Sequence, residues 1–288
     1  MLAGVRWDYF DVSYDTFAIP SGETDPVWSH YDQQTDFFAP KASLIWEPTP
    51  EQTYYLSWAT SASVPGQFPT NANATLGSAD LEPEENESWE LGGKFSVLDG
   101  RLGLSGAIFQ IDKNNARQTD PVTGDVTLTG EEQRVRGIEL GISGLITNAW
   151  SFSAAYAYLD SEVRSVNGDD AHENVGNHIA NAPEHAASLW TTYNLSEHLQ
   201  QLPGILLVGG GITYRDGVYT SSANTSWVPE TFSIDLMGSY AWEYGPGKYR
   251  VAVNAYNVTD ELNYSGVWGN RVVPASGRTF TLTLGAEF

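Results

Sequence analysis

The chain has 288 residues, no cysteine, and a formal net charge of -22 from 36 acidic and 14 basic side chains. That balance argues against nucleic acid as a partner, since phosphate binding needs clustered Lys and Arg, and it leaves no disulfide framework or sulfur-based metal site. Mean hydropathy is -0.30, and no run approaches about 18 consecutive apolar residues, which excludes a transmembrane helix but not a β-barrel, whose strands meet lipid only at alternate residues.

The chain opens in a strand pattern, with Val5, Trp7 and Tyr9 alternating against Gly4, Arg6 and Asp8. No basic n-region or apolar h-region precedes it, so the chain is expected to start within a fold. Alternation and turn chemistry place about twelve strands along the sequence. They fall near residues 2–15, 36–47, 51–61, 86–97, 100–113, 133–146, 148–164, 183–195, 204–216, 230–243, 247–258 and 276–288. Several carry a clean apolar face: Trp89, Leu91, Gly93, Phe95 and Val97; Trp150, Phe152, Ala154, Tyr156 and Tyr158; Phe232, Ile234, Leu236, Gly238, Tyr240 and Trp242. The last strand sets Phe280, Leu282, Leu284, Ala286 and Phe288 against Thr279, Thr281, Thr283, Gly285 and Glu287, and its terminal aromatic suits the closing strand of an outer-membrane barrel. The opposite faces hold Ser, Gly, Ala, Asp and Glu, too small and polar for a sandwich core. A water-filled or plugged lumen accounts for them.

Short turns at 48–50, 98–100, 147–148 and 244–247, with a longer one around 196–203, alternate with long segments at about 16–35, 62–85, 114–132, 165–182, 217–229 and 259–275. Outer-membrane barrels have this cadence, with short periplasmic turns and long external loops, and it puts Phe288 on the periplasmic side. The fold class expected is therefore all-β: antiparallel, up-and-down transmembrane strands over 1–288. The acidic runs Asp80–Glu87 and Asn167–Asp170 read as solvated loop surface, since neither has EF-hand spacing. His30, His172, His178, His185 and His198 are dispersed; His172 and His178, with Glu173 between them, read as solvated loop residues rather than a metal site. No nucleophile elbow or paired base appears, so no enzyme is expected. Gly209-Gly210-Gly211 lies inside a strand and reads as close backbone approach or a barrel bend, not a phosphate loop.

Five stretches carry a family resemblance. They are Leu81–Lys94 followed by Leu98–Ser105, Gln133–Leu140, Gly176–Tyr193, Asn254–Asp260 and Asn270–Phe280. In this order and spacing the chain resembles the C-terminal barrel portion of a TonB-dependent outer-membrane siderophore receptor. The wording of Ser188–Tyr193 and Arg271–Pro274 leans towards the catecholate or ferrichrome-like branch, whereas Glu184 stands where the family often has Arg. The resemblance implies a 22-stranded barrel around an N-terminal plug, with about ten strands, the plug and its energy-coupling TonB box outside this chain. It implies a ferric siderophore as the transported ligand, no resident cofactor, and energy from the TonB–ExbB–ExbD complex. The acidic balance would repel an anionic ferric chelate rather than steer it.

For such a receptor, ligand contacts are expected from cations and aromatics at the upper rim. Alternation sets Arg215 on the lumenal face of Gly211 and Thr213, while Tyr219, Trp227, Trp268 and Arg271 lie in the loops that follow. Arg134 and Arg136 share the face of Ile138, Leu140 and Ile142, and Arg164 that of Tyr156 and Tyr158, pointing to lipopolysaccharide phosphates outside the wall. Two other readings stay open: a self-contained 12-stranded pore or autotransporter translocator, and an outer-membrane barrel hydrolase.

Overall fold

The structure is a computed structural model that describes residues 1–19, 25–63, 83–119, 126–165, 174–199, 201–268 and 271–288. In chain order the strands are β1 (Leu2–Ala18), β2 (Val27–Thr49), β3 (Gln52–Ser63), β4 (Glu84–Val97), β5 (Leu102–Thr119) and β6 (Val126–Leu145). There follow β7 (Trp150–Ser165), β8 (His185–Asn194), β9 (Ile205–Arg215), a small hairpin of β10 (Val218–Tyr219) and β11 (Trp227–Val228), and β12 (Thr231–Tyr244). Then come β13 (Gly247–Tyr256), a second small hairpin of β14 (Tyr264–Trp268) and β15 (Arg271–Pro274), and β16 (Thr279–Glu287). Twelve of these form one antiparallel sheet in the order β1-β2-β3-β4-β5-β6-β7-β8-β9-β12-β13-β16, each beside the next of the twelve along the chain, with the two small hairpins inserted after β9 and β13. Among the described residues, no helix is long and apolar enough to cross a membrane.

Register decides which side chains share a face, because directly paired residues point the same way. One row across the sheet runs Leu44, Leu56, Leu91, Ile108, Ile138, Tyr158; another runs Ala154, Leu189, Ile212, Ile234. These side chains are not packed into an interior: Leu91 is 52% exposed and Leu282 64%. A continuous exposed face of this kind is far larger than water tolerates, and only an apolar solvent satisfies it. At its upper margin, beside the long connections, the indoles of Trp58 and Trp89 both donate to Glu87 Oε1 at 2.8 and 2.9 Å, and Trp7 donates to Asp36 at 3.2 Å. That is an aromatic girdle with its polar tips turned to the wet side. On the other face a row runs Tyr55, Gly92, Ala107, Glu139, Ala157, Ala186, Arg215, Thr231, small residues interrupted by charge.

The expected strands are all present, but several extend further. β1 continues to Ala18 and β2 begins at Val27, pairing Ala18 with Val27 where a long loop over 16–35 was expected. β5 and β6 likewise run into the expected loop 114–132 and pair Thr119 with Val126, with register shifts at Lys113/Ala116 and Ala116/Arg117. Above an apolar belt both faces of a strand meet water, so the alternation that reveals strands vanishes although backbone pairing continues. Among the described residues the sheet does not close on itself: β1 pairs only with β2 and β16 only with β13, which corrects the reading of a self-contained 12-stranded pore.

Candidate functional site

The expected ligand residues lie at the upper end of the sheet, on β9 and in the connections that follow β9 and β13. Arg215 ends β9 on the polar face, opposite Ala186 and Thr231, and its Nη2 donates to the carbonyl of Tyr264 at 3.4 Å. It therefore bridges the wall to β14. Tyr219 and Trp227 are direct partners in the β10–β11 hairpin. Their neighbours Val218 and Val228 are buried beneath them, 2% and 3% exposed. Trp227 lies across Gly217, where an added Cβ would overlap its ring. Tyr219 stacks on His178 with centroids 5.8 Å apart and planes 13° from parallel. Trp268 and Arg271 pair in the β14–β15 hairpin, and their side chains lie outside the described residues. The five expected residues thus sit on two small hairpins and one bridging arginine.

The loops that hold them depend on asparagines that periodicity does not flag. Asn224 and Asn257 adopt positive φ (54° and 49°), which Asn tolerates better than most residues. Asn257 closes a turn by accepting from Glu261 N at 3.0 Å and donating to Glu261 O at 2.8 Å. Asp260, also at positive φ (59°), accepts from Arg278 N at 2.8 Å. The Asn254–Asp260 stretch is thus a loop anchor. The triglycine stretch has a packing role too: a Cβ on Gly211 would overlap the Trp190 ring and crowd the Leu189 carbonyl. His178 is engaged by Tyr219, while His172 and Glu173 lie outside the described residues.

Arg134 and Arg136 lie on the apolar side of the sheet at its upper end, opposite Asp112 and Gln110 on β5 and Glu162 and Asp160 on β7. Arg134 Nε pairs with Asp112 at 2.5 Å, Arg136 Nε donates to Gln110 at 3.0 Å, and Arg164 pairs with Glu162 at 3.2 Å beside a register shift. Among the described strand residues of the polar face, Arg6, Lys41, Lys94, Lys113, Arg215, Lys248 and Arg250 stand among Asp8, Glu47, Glu84, Glu90, Glu131, Glu139, Asp235, Glu243 and Glu287, so seven positive charges offset most of nine negative ones. The surplus acid lies elsewhere, notably on the apolar side's upper margin at Asp11, Asp15, Asp32, Asp36, Glu85 and Glu87.

Known proteins match this arrangement over nearly its whole length. A family model described as "TonB dependent receptor-like, beta-barrel" matches residues 1–258. The chain is 33% identical to "Probable TonB-dependent siderophore receptor PiuA" of Acinetobacter baumannii over 99% of its own length and 38% of that protein. It is 29% identical to "Catecholate siderophore receptor Fiu" of Escherichia coli K12 over 86% of its length and 32% of the other. The crystal structure of the siderophore receptor PiuA superposes with a TM-score of 0.79 at 32% identity, covering 98% of this chain and 40% of that one. The ferric citrate transporter FecA shares the fold at 19% identity, with a TM-score of 0.73. The chain therefore spans well under half the length of these relatives. Its open sheet is a stretch of wall from a larger outer-membrane barrel of the Gram-negative type, and its exposed face meets lipid. With an apolar outer face, a charge-balanced polar lining and loops clustered at one end, the chain belongs to the TonB-dependent receptor β-barrel family, a family of transporters rather than enzymes.

Proposed function

We propose that this chain is the C-terminal part of the barrel of a receptor that takes up ferric siderophores of the catecholate class across the outer membrane. The observation that carries this is the end-to-end similarity to a protein named as a TonB-dependent siderophore receptor, supported by the similarity to a named catecholate receptor. The lining adds a physical reason: its charges nearly balance, so an anionic chelate entering the lumen does not meet the net repulsion that the whole-chain charge of -22 suggests. The receptor draws its energy from TonB–ExbB–ExbD through a TonB box on a plug segment outside this chain. Arg215, Tyr219, Trp227, Trp268 and Arg271 contact the ligand at the mouth, where cations face its charge and aromatic rings its planar groups.

Uptake of radiolabelled iron by cells carrying the full-length receptor tests the reading, with ferric 2,3-dihydroxybenzoate as the catecholate probe and a ferric hydroxamate beside it. Catecholate uptake should require both the receptor and TonB. Hydroxamate uptake alone would move the ligand class, and uptake independent of TonB would remove the energised mechanism. The combined variant Arg215→Ala, Trp227→Ala, Arg271→Ala should weaken binding of the catecholate probe at least about tenfold, as loss of a charge-assisted contact and an aromatic contact implies. Unchanged affinity would remove these residues from the site.

Arg134, Arg136 and Arg164 are proposed to meet lipopolysaccharide phosphates on the outer wall. Arg134 and Arg164 are already in ion pairs, so phosphate has to compete with Asp112 and Glu162 for them. Co-purified lipopolysaccharide should fall when all three are replaced by Gln, and an unchanged amount would end the proposal.

A further inference from the structure

Two external loops that are far apart in sequence are fastened to each other by side-chain amides. The described part of the β7–β8 connection, residues 174–184, lies against the β9–β12 connection that carries the β10–β11 hairpin. Asn224 behaves like a strand partner for a single residue of the other loop. Its Oδ1 accepts from His178 N at 2.8 Å and its Nδ2 donates to His178 O at 2.8 Å, while the same amide donates to Ser221 O at 3.1 Å within its own loop. Asn177 Nδ2 donates to Ser222 O at 2.9 Å, and Asn181 N donates to Tyr219 O at 2.9 Å. The ring of His178 stacks on Tyr219.

Both loops also share one floor. Val163 N donates to Asn177 O and Gly176 N donates to Val163 O, each at 2.9 Å, which adds a short rung to β7. From the other loop, Ser222 Oγ donates to Glu131 Oε1 at 3.4 Å. Val163, Val218, Ser222 and Glu131 are all at most 5% exposed in a molecule whose apolar side chains mostly face outward. The largest fully buried side chains among the described residues, Glu131, Val163 and Val218, therefore lie beneath these loops, above the apolar belt.

We infer that the two loops form a single body clasped by Asn224, so that an opening of either one releases the other. Asn224 is a positioning residue in this scheme: it holds the β10–β11 hairpin through the neighbouring loop and need not touch any ligand. The inference does not depend on what the receptor carries. Its physical basis is cooperativity between bonds that share one floor, which makes the loops one local unfolding unit rather than two.

Hydrogen exchange on the full-length receptor in detergent or nanodiscs tests this. The informative amides are those that lose no bond of their own. In Asn224→Ala, the amide of Asn181, which bonds Tyr219 rather than Asn224, should exchange about tenfold or more faster, as loss of the three hydrogen bonds of the Asn224 side chain implies. In Asn177→Ala, the amide of Thr220, which donates to Ser226 O within the hairpin, should accelerate likewise. Amides of β8 and β9 report whether the wall remains folded, and their protection should not change. Acceleration confined to His178 in the first variant, with Asn181 unaltered, would show that the loops open independently and would overturn the inference. Should Asn224→Ala fail to assemble, Asn224→Asp keeps the acceptor for His178 N and removes the donor to His178 O. It carries the same Asn181 readout at a smaller expected increase, and no increase there would equally overturn the inference.

Discussion

His30 stands in the part of the β1–β2 hairpin that projects above the apolar belt, between two carboxylates. Its Nδ1 lies 2.7 Å from Asp15 and its Nε2 3.2 Å from Asp32. The hydrogen bond to Asp15, followed by the charge of Asp32, holds its pKa above the ordinary 6.5. Because the folded value is raised, the stabilisation is fully present below pH 6.5 and is lost as pH rises through the folded value. A proton titration followed by NMR should therefore find the midpoint above 6.5, and Asp15→Asn should bring it down. A midpoint at 6.5 in the parent protein would show that the contact does not persist in solution. Gly211 represents the opposite kind of residue, important for what it lacks. Its missing Cβ lets the Trp190 ring and the Leu189 carbonyl close over the backbone, so Gly211→Ala should destabilise the full-length barrel by about 1–3 kcal/mol in urea unfolding. A glycine inside an alternating strand was legible as close approach, but the group that approaches it comes from register, not from sequence.

Among the elements, the strands and their loops follow different rules. Strand faces read directly from alternation, and every row traced across the sheet agrees with the expected apolar face. The loop anchors do not read this way. Asn263 accepts from Phe232 N at 2.9 Å and donates to Phe232 O at 2.7 Å, so one side-chain amide stands in for a strand next to the start of β12. Asn263→Ala would leave both backbone groups of Phe232 without that partner and should cost about 1–3 kcal/mol of local stability. Faster exchange of the Phe232 amide with β13 unaffected is the expected signature, and unchanged exchange would show that water replaces the amide without loss. The Asn254–Asp260 stretch was recognisable as a family signature, yet its role in turning the chain depends on positive φ at Asn257 and Asp260. The small hairpins β10–β11 and β14–β15 were invisible for a related reason: two to five residues are too few to establish a period.

At the scale of the molecule, the sheet has two edges, β1 and β16, each paired on one side only among the described residues. Lipid offers no partner for such backbone groups, and an unpaired edge invites association. Residues 1–288 expressed alone should therefore not form a discrete monomer in liposomes. A heat-modifiable monomeric band, together with measurable conductance, would contradict this. Alternation and the cadence of short and long connections were enough to establish an all-β, up-and-down membrane wall with one apolar face, because side-chain direction in a strand is a local property of the backbone. They also placed Arg215 on the lining and Arg134 and Arg136 on the outer side. What required the tertiary structure was everything that arises between strands. That includes the extension of β1, β2, β5 and β6 past the belt, the near-balance of charge on the lining despite a net -22, and the clasp between loops 46 positions apart at His178 and Asn224. These depend on which strands become neighbours, and no local pattern of side chains carries that information.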